Sequence, residues 1–312
     1  VINNEWKSNF VDIDGEYLSD TWFDYVESFS EGLASVSIDV KWNFIDTEGN
    51  LISDTWFDNE GGFHNGLSWV GIDKDYNYIN RNGQILCDRW FGYVENFKDG
   101  FAIVSKHGRW NFLKTDGQLL SDTWFNQVSN FHDGLSKIVL NGKTNFINTD
   151  GQYISEIWFD DATYFNNGLA GVKLKWQYNV INTEGKLVSD TWFDFIVDFQ
   201  EGFAKVRIDS EWNYINTNGK LISDTMFDGA WDFEDGFAEV KLNEKLNFID
   251  TEGKLISDVW FDSYSQADKF LAKYKANLQT ESLQRTKFVS SFNEMTARIV
   301  QYYDKMRADN IL

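Results

Sequence analysis

The sequence predicts an all-β repeat protein: eight 34-residue antiparallel three-stranded units in an open solenoid-like array, followed by a C-terminal α-helical tail. Three observations carry that prediction. A turn Gly recurs at Gly15, Gly49, Gly83, Gly117, Gly151, Gly185, Gly219 and Gly253 with no insertion or deletion between copies, and a second Gly keeps the same step from Gly32 to Gly236. Apolar residues alternate with a period of two inside each copy, as on a half-buried strand. Past Asp262 the 34-residue pattern stops and an apolar spacing of three and four begins. The expected domains are residues 1–262 as the repeat array and 263–312 as an amphipathic tail that caps the array or docks and oligomerises. A fixed period of this size marks a repeat architecture, in which no unit buries its apolar face alone.

Residues 33–66 illustrate one copy. Leu33 to Asp39 alternates, with Ala34, Val36 and Ile38 on one face. Trp42 to Asp46 reads as a second strand returning from a variable turn. Asn50 to Phe57 reads as a third, after the turn Asp46-Thr47-Glu48-Gly49, where Gly supplies a positive φ. The third segment ends in Trp56-Phe57; Phe holds that slot in all eight copies and Trp precedes it in seven, Met226 being the exception. Another Phe lies six residues on, from Phe29 to Phe233. Both ring series read as core.

Asn9, Asn43, Asn77, Asn111, Asn145, Asn179, Asn213 and Asn247 form an invariant polar slot within strands. Asn is disfavoured there unless it adopts φ > 0 or its amide bonds to backbone. A ladder of Asn side chains between units, or a row of ligand-binding amides, are the other readings.

The segments GLASV at 32–36, KWNFIDTEG at 41–49 and EWNYINTNGK at 211–220 resemble the WG-repeat family of bacterial proteins. The resemblance covers residues 1 to about 262, and it departs from the family in one respect: the namesake Gly is Asn in every copy. Gly and Asn both accept the left-handed region, so the swap favours a backbone reading of the slot. What the resemblance implies is a repeat fold and an interaction role, with no catalytic residues.

Strand counting bears on closure. The Gly-Leu-Ala-x-Val segment occurs seven times while the other two occur eight, and neither end supplies the missing copy. An open array tolerates that deficit; a closed propeller-like ring is the alternative. In the tail, Phe288, Phe292, Met295, Ile299, Tyr303 and Met306 mark one amphipathic helix, and Phe270, Leu271, Tyr274 and Leu278 an earlier one, with a joint at Thr280-Glu281-Ser282.

The formal charge is −21. The residues after Asp262 hold eight basic and five acidic side chains, which leaves 20 basic against 44 acidic in the repeats. Such a surface repels phosphate backbones, so no nucleic-acid partner is expected. No run of 18 apolar residues exists, so no membrane span is expected. The chain begins inside the repeat pattern without an initiator Met or leader peptide, which reads as a processed or trimmed form; its location is not encoded. The single cysteine, Cys87, occupies a slot that other copies fill with Ser and reads as a packing residue.

No catalytic residue, cofactor or metal site is expected. Asp12-Ile13-Asp14-Gly15 and its copies lack the spacing of a calcium loop and read as turns. His64 and His132 share one variable slot. What differs between copies is more telling: residues 25–28 and 37–41 vary freely across the repeats, the usual place for a binding face. Tyr25, Trp69, Tyr93, Trp176, Phe195 and Trp231 stand where other copies carry small or polar residues and are the candidate partner-binding side chains, with strand alternation setting Trp69 on the face away from Val36. These features point to a non-enzymatic protein-interaction scaffold with a protein partner. The alternative is a carbohydrate-binding module on a polysaccharide. Self-association through the tail helix is a further expectation.

Overall fold

The computed structural model describes residues 2–4, 6–197 and 199–308, the side chains at 2–4, 288, 291, 292 and 298–308 excepted. Among them are seven three-stranded antiparallel sheets, one two-stranded sheet at the start, and one helix, Tyr264–Ala308. Chain contacts group residues 1–176 with 180–187 in one compact unit and 177–179 with 188–312 in a second, which includes the helix. Both are made of the same repeat.

Each sheet is a meander of consecutive strands, so among the described residues no strand is lent to another sheet. In the repeat type unit the strands are Tyr25–Val26, Leu33–Ile38 and Lys41–Asp46, with Leu33–Ile38 in the centre. That placement corrects the sequence reading in two ways. The central strand is the segment that occurs seven times, so only seven sheets can be complete. The third strand is the short Tyr25–Val26, registered on Ser37 and Val36, while residues 50–57 form no regular strand. Only two bridges tie that stretch to its neighbour, Leu51 to Ile45 and Phe57 to Trp42.

Both links within the sheet are two-residue hairpins. Glu31 and Gly32 sit at φ 53° and 82° between Ser30 and Leu33, and Asp39 and Val40 at 49° and 60° between Ile38 and Lys41. Two successive positive φ values make a type I′ turn, whose twist matches that of the flanking strands. The β-branched Val40 is a poor residue for that conformation. Asp58, the residue after Phe57, braces the next such turn by accepting the Asp73 N–H at 2.9 Å. Its counterparts Asp24, Asn126, Asp160, Asp194 and Asp228 do the same in their own sheets.

The core is apolar on both sides of the central strand. Phe23, Ala34, Val36 and Ile45 pack together with Phe10 in one cluster, and Phe44, Phe57, Phe63 and Val70 in the next. From Phe23 to Phe227 the slot of Phe57 is fully buried, whereas the preceding Trp slot is half-buried throughout, less interior than the sequence suggests. The second ring series packs on the strand ring of its own repeat: Phe44 and Phe63 lie 4.8 Å apart, Tyr78 and Phe97 4.7 Å, Phe146 and Phe165 4.6 Å.

Successive repeats meet backbone to backbone at the turn Gly. A Cβ on Gly83 would lie 1.6 Å from the Ile52 carbonyl oxygen of the preceding repeat, and one on Gly49 would lie 1.8 Å from that of Leu18. A Cβ on Gly15 would meet nothing within 4 Å.

The helix is continuous and has no joint at residues 280–282. Thr280 and Thr286 return their hydroxyls to the carbonyls of Ala276 and Ser282, which satisfies both within the helix. Its first turns dock on the last sheet: Ala267 is buried, Phe270 lies tilted against Phe261 at 5.1 Å, and Tyr274 meets Phe237 edge-on at 5.8 Å. Leu278, Leu283, Val289 and Met295 are exposed. Phe288, Phe292, Ile299, Tyr303 and Met306 lie on this helix, but their side chains fall outside the described residues.

Gly83→Ala combines a forced positive φ with a backbone collision and is expected to cost roughly 2–5 kcal/mol of unfolding free energy. Val40→Gly relieves the strain of a β-branched residue at positive φ and is expected to gain about 0.5–1 kcal/mol. Urea denaturation of the two variants beside the parent chain measures both; equal stability of all three would contradict the contact geometry.

Candidate interaction surface

The invariant Asn slot was the sharpest polar signal in the sequence, and the structure assigns it to the backbone. Asn43 is fully buried, and its φ is not positive, so the left-handed reading fails. Its amide Nδ2 donates to the carbonyls of Ser53 at 2.8 Å and Thr55 at 3.3 Å, while Oδ1 accepts the Phe44 N–H at 2.8 Å. The same triple contact recurs at Asn77, Asn111, Asn145, Asn213 and Asn247. The bonds stay within one repeat, so the side chains form no ladder between units. They also explain why residues 50–57 are not a strand: their carbonyls bend toward the amide in place of a neighbouring N–H. The Ser53 hydroxyl then takes the Thr55 N–H at 3.0 Å and holds that bend.

The recurring acidic residues are likewise committed to backbone. Asp46 Oδ1 accepts the N–H groups of Glu48 and Asn50 at 2.9 and 2.8 Å, an Asx turn repeated at Asn80, Asn148, Asn182 and Asp250. Asp58 and Asp160 bond the ammonium groups of Lys41 and Lys143 and then a turn N–H, and these bonds hold their carboxyls below the ordinary aspartate value.

The six candidate aromatic residues have different fates. Tyr25, Tyr93 and Phe195 share one slot at the sheet edge, and each lies edge-on to a Trp two strands across: Trp42 at 5.6 Å, Trp110 at 5.5 Å and Trp212 at 6.0 Å. They are 53, 44 and 40% exposed, so each pair forms a wet-faced aromatic corner. Arg207 lies 5.8 Å over the Phe195 ring and 5.6 Å over that of Trp212. The Trp partners were not singled out in the sequence because their slot reads as ordinary strand; only the observed register sets the slots of residues 25, 37 and 42 side by side.

Trp69 is a correction. It is half-buried, edge-on to Tyr76 at 5.7 Å, and packed on a cluster that contains Tyr78, Phe91 and Val104. Its indole fills the space over Gly61, where a Cβ would come within 1.9 Å of Nε1. Other sheets carry Glu27, Glu95 or Ser129 at that neighbouring slot, and the missing side chain at Gly61 was the available signal. Trp231, 38% exposed, meets Tyr264 of the helix edge-on at 6.2 Å, so its partner in this chain is the tail. Trp176 is 82% exposed, sits in a type I′ turn at φ 73°, and has the Lys173 ammonium 4.7 Å from its ring. Among the described residues no ring contact joins any two of the six.

A family description, WG containing repeat, matches residues 10–42, 78–110, 146–175, 180–212 and 214–245, more than half of the chain. The chain belongs to the WG-containing repeat family. No curated protein matches the sequence. Similar solved structures include Hsv2p of Kluyveromyces lactis, 10% identical over 76% of this chain and 96% of that one, with a TM-score of 0.28. Apo AztD from Citrobacter koseri is 12% identical over 83% and 92%, with a TM-score of 0.29. Overlaps this low assign neither shape nor ligand to this WG-repeat chain.

Among the described residues no group of three His, Cys, Asp or Glu side chains is placed to hold a metal ion, and no helix is long and apolar enough to cross a membrane. Cys87 is half-buried and weakly bonded to the Arg89 carbonyl at 3.4 Å, in keeping with a packing role.

Two outcomes follow for the WG-repeat slots. Asn43→Gly and Asn43→Leu each leave two carbonyls and one N–H without a partner in the core, so each is expected to lose roughly 2–4 kcal/mol in urea titration. A mild Asn43→Gly would restore the left-handed reading. Asp58→Asn keeps an acceptor for the turn N–H, as Asn126 does, but removes the titration. Because the folded carboxyl lies below its unfolded value, its contribution is full above that value and is lost as pH falls through the folded one. The variant should therefore melt nearly as the parent does at pH 7 and lose less stability on acidification; parallel pH profiles would refute the assignment.

Proposed function

We propose that this WG-repeat chain is a non-enzymatic interaction scaffold that presents its variable edge strands and hairpin turns to a protein partner. The observation that carries the reading is Trp176. It occupies a turn position where Gly108 and Gly142 stand in two other copies and the exposed Trp6 and Val40 in two more, in a left-handed conformation that costs a bulky residue roughly 1–2 kcal/mol, yet its ring faces solvent. A large, exposed and strained aromatic residue has no folding role to offset that cost, and Trp is the side chain most enriched among binding hot spots. The aromatic corners at Tyr25, Tyr93 and Phe195 add further half-exposed surface, while the recurring polar groups are consumed by the backbone and leave little for chemistry.

Carbohydrate binding is the second reading, favoured by the half-buried Trp slot that runs from Trp22 to Trp260. It needs amides beside those rings, and the Asn amides point inward.

The test is affinity capture from the source proteome with the parent chain and with Trp176→Gly, beside a glycan array. A partner that the parent retains and the variant loses, with the variant at least as stable, supports the scaffold. Equal capture by both, or binding to polysaccharide alone, would remove it.

A further inference from the structure

At the last sheet one central-strand slot, filled by Ser35, Trp69, Ile103 and Gly171 in four copies, reverses the charge it carries in two others. Lys137 and Lys205 share one position on the central strand, and each sends its ammonium forward to the acidic edge beyond. That of Lys137 bonds the Ala162 carbonyl and lies 3.4 Å from Asp161; that of Lys205 lies 3.0 Å from Asp232. In the last sheet the same slot is Glu239, and what lies beyond it is the helix, which presents Asp268. A carboxylate thus faces a carboxylate in a slot where two earlier repeats provide a lysine. Glu239 is half-buried and makes no side-chain hydrogen bond or ion pair among the described residues; burial, and then the Asp268 charge, push its carboxyl above the ordinary glutamate value.

A cavity of about 300 Å³ opens at this point, with Trp231, Phe237 and Tyr264 as aromatic walls and Glu239, Asp268 and Lys275 among its polar lining. The walls are held in place. The Tyr214 hydroxyl donates to the Trp231 carbonyl at 2.5 Å, and the Trp231 N–H donates to the Glu239 carbonyl at 3.0 Å. The Trp231 and Tyr264 rings stand at 89° to each other, a fixed corner. The Lys275 ammonium is bound to Asp235 at 3.0 Å and lies 5.7 Å over the Phe237 ring, which leaves the Trp231 and Tyr264 rings beside the two carboxylates.

We propose that this cavity binds an organic cation, an alkylammonium or guanidinium group, seated between the two carboxylates and the aromatic walls. The ring faces attract a desolvated cation, and its charge takes the place of the ammonium that Lys137 and Lys205 supply in two earlier copies. The volume suits a small molecule or one basic side chain. The site stands apart from the scaffold reading, because its occupant is tested as a free ion and the turn at Trp176 takes no part.

The experiment is calorimetric titration of the full chain with tetramethylammonium chloride and, separately, with a capped lysine- and arginine-containing peptide, against sodium chloride at equal ionic strength. Saturable binding of either probe, weakened about tenfold or more by Glu239→Gln and by Trp231→Leu and unchanged by Glu184→Gln, supports the site. Binding of the peptide alone identifies a basic side chain as the occupant, and binding of both identifies any such cation. Glu239→Gln removes a repulsion and is expected to fold at least as well as the parent, so its loss of binding is not a loss of fold. No binding of either probe, equal binding by Glu239→Gln, or equal competition by sodium would overturn the proposal.

Discussion

The structure depends on a contact with no side chain in it. At each repeat the turn Gly places its α-carbon against a carbonyl of the repeat before, as Gly83 does on Ile52 and Gly253 on Ile222, at separations that admit hydrogen and nothing larger. A side chain would push the two backbones apart, and the buried rings on either side would lose their packing. The period is uniform for the same reason. An insertion between two such turns would move one out of reach of its carbonyl, and a lost contact could not be repaired locally.

A second constraint follows from how the chain returns after that turn. The segment that leads to Trp56-Phe57 must close on the strand Lys41–Asp46 yet swing outward to deliver Phe57 to the core. It cannot do both and keep a regular ladder. The amide of Asn43 resolves the conflict by occupying the gap and bonding both carbonyls that the bend exposes, so the bend carries no unsatisfied buried group. Glycine or asparagine preference for a left-handed backbone explains nothing here. The slot is a hydrogen-bond hub, and its invariance is the invariance of a bend.

These two constraints decide what could be read in advance. The period, the buried Phe series, the seven-fold count of the Gly-Leu-Ala strand and the helical tail all follow from spacing, and spacing is visible in a chain. The pairing of Tyr25–Val26 was not, since two residues without alternation carry no strand signal and the register came from the hairpin turn between Ser30 and Leu33. Trp69 was misplaced because alternation gives a face without saying whether the neighbour leaves room; Gly61 leaves it. The supposed joint at Thr280 failed because hydroxyls that favour turns can also bond back along a helix. For the candidate surface, Trp231 was visible as an odd ring, but Asp268 and Glu239 became neighbours only when the helix docked.

The slots that obey the repeat and the slots that break it thus carry different information. Natural sequences agree with their fold at every level except where something else is selected, and a local violation with no structural benefit is the mark of such a place. Two violations stand out. Trp176 holds a left-handed turn that glycine fills without strain in two other copies, and its ring gains no burial in return. Glu239 sets a second carboxylate against Asp268 in a slot that holds an ion-paired lysine in two earlier copies. A glycine in the turn at Trp176, or a lysine in the slot of Glu239, would relieve the local conflict that each side chain creates.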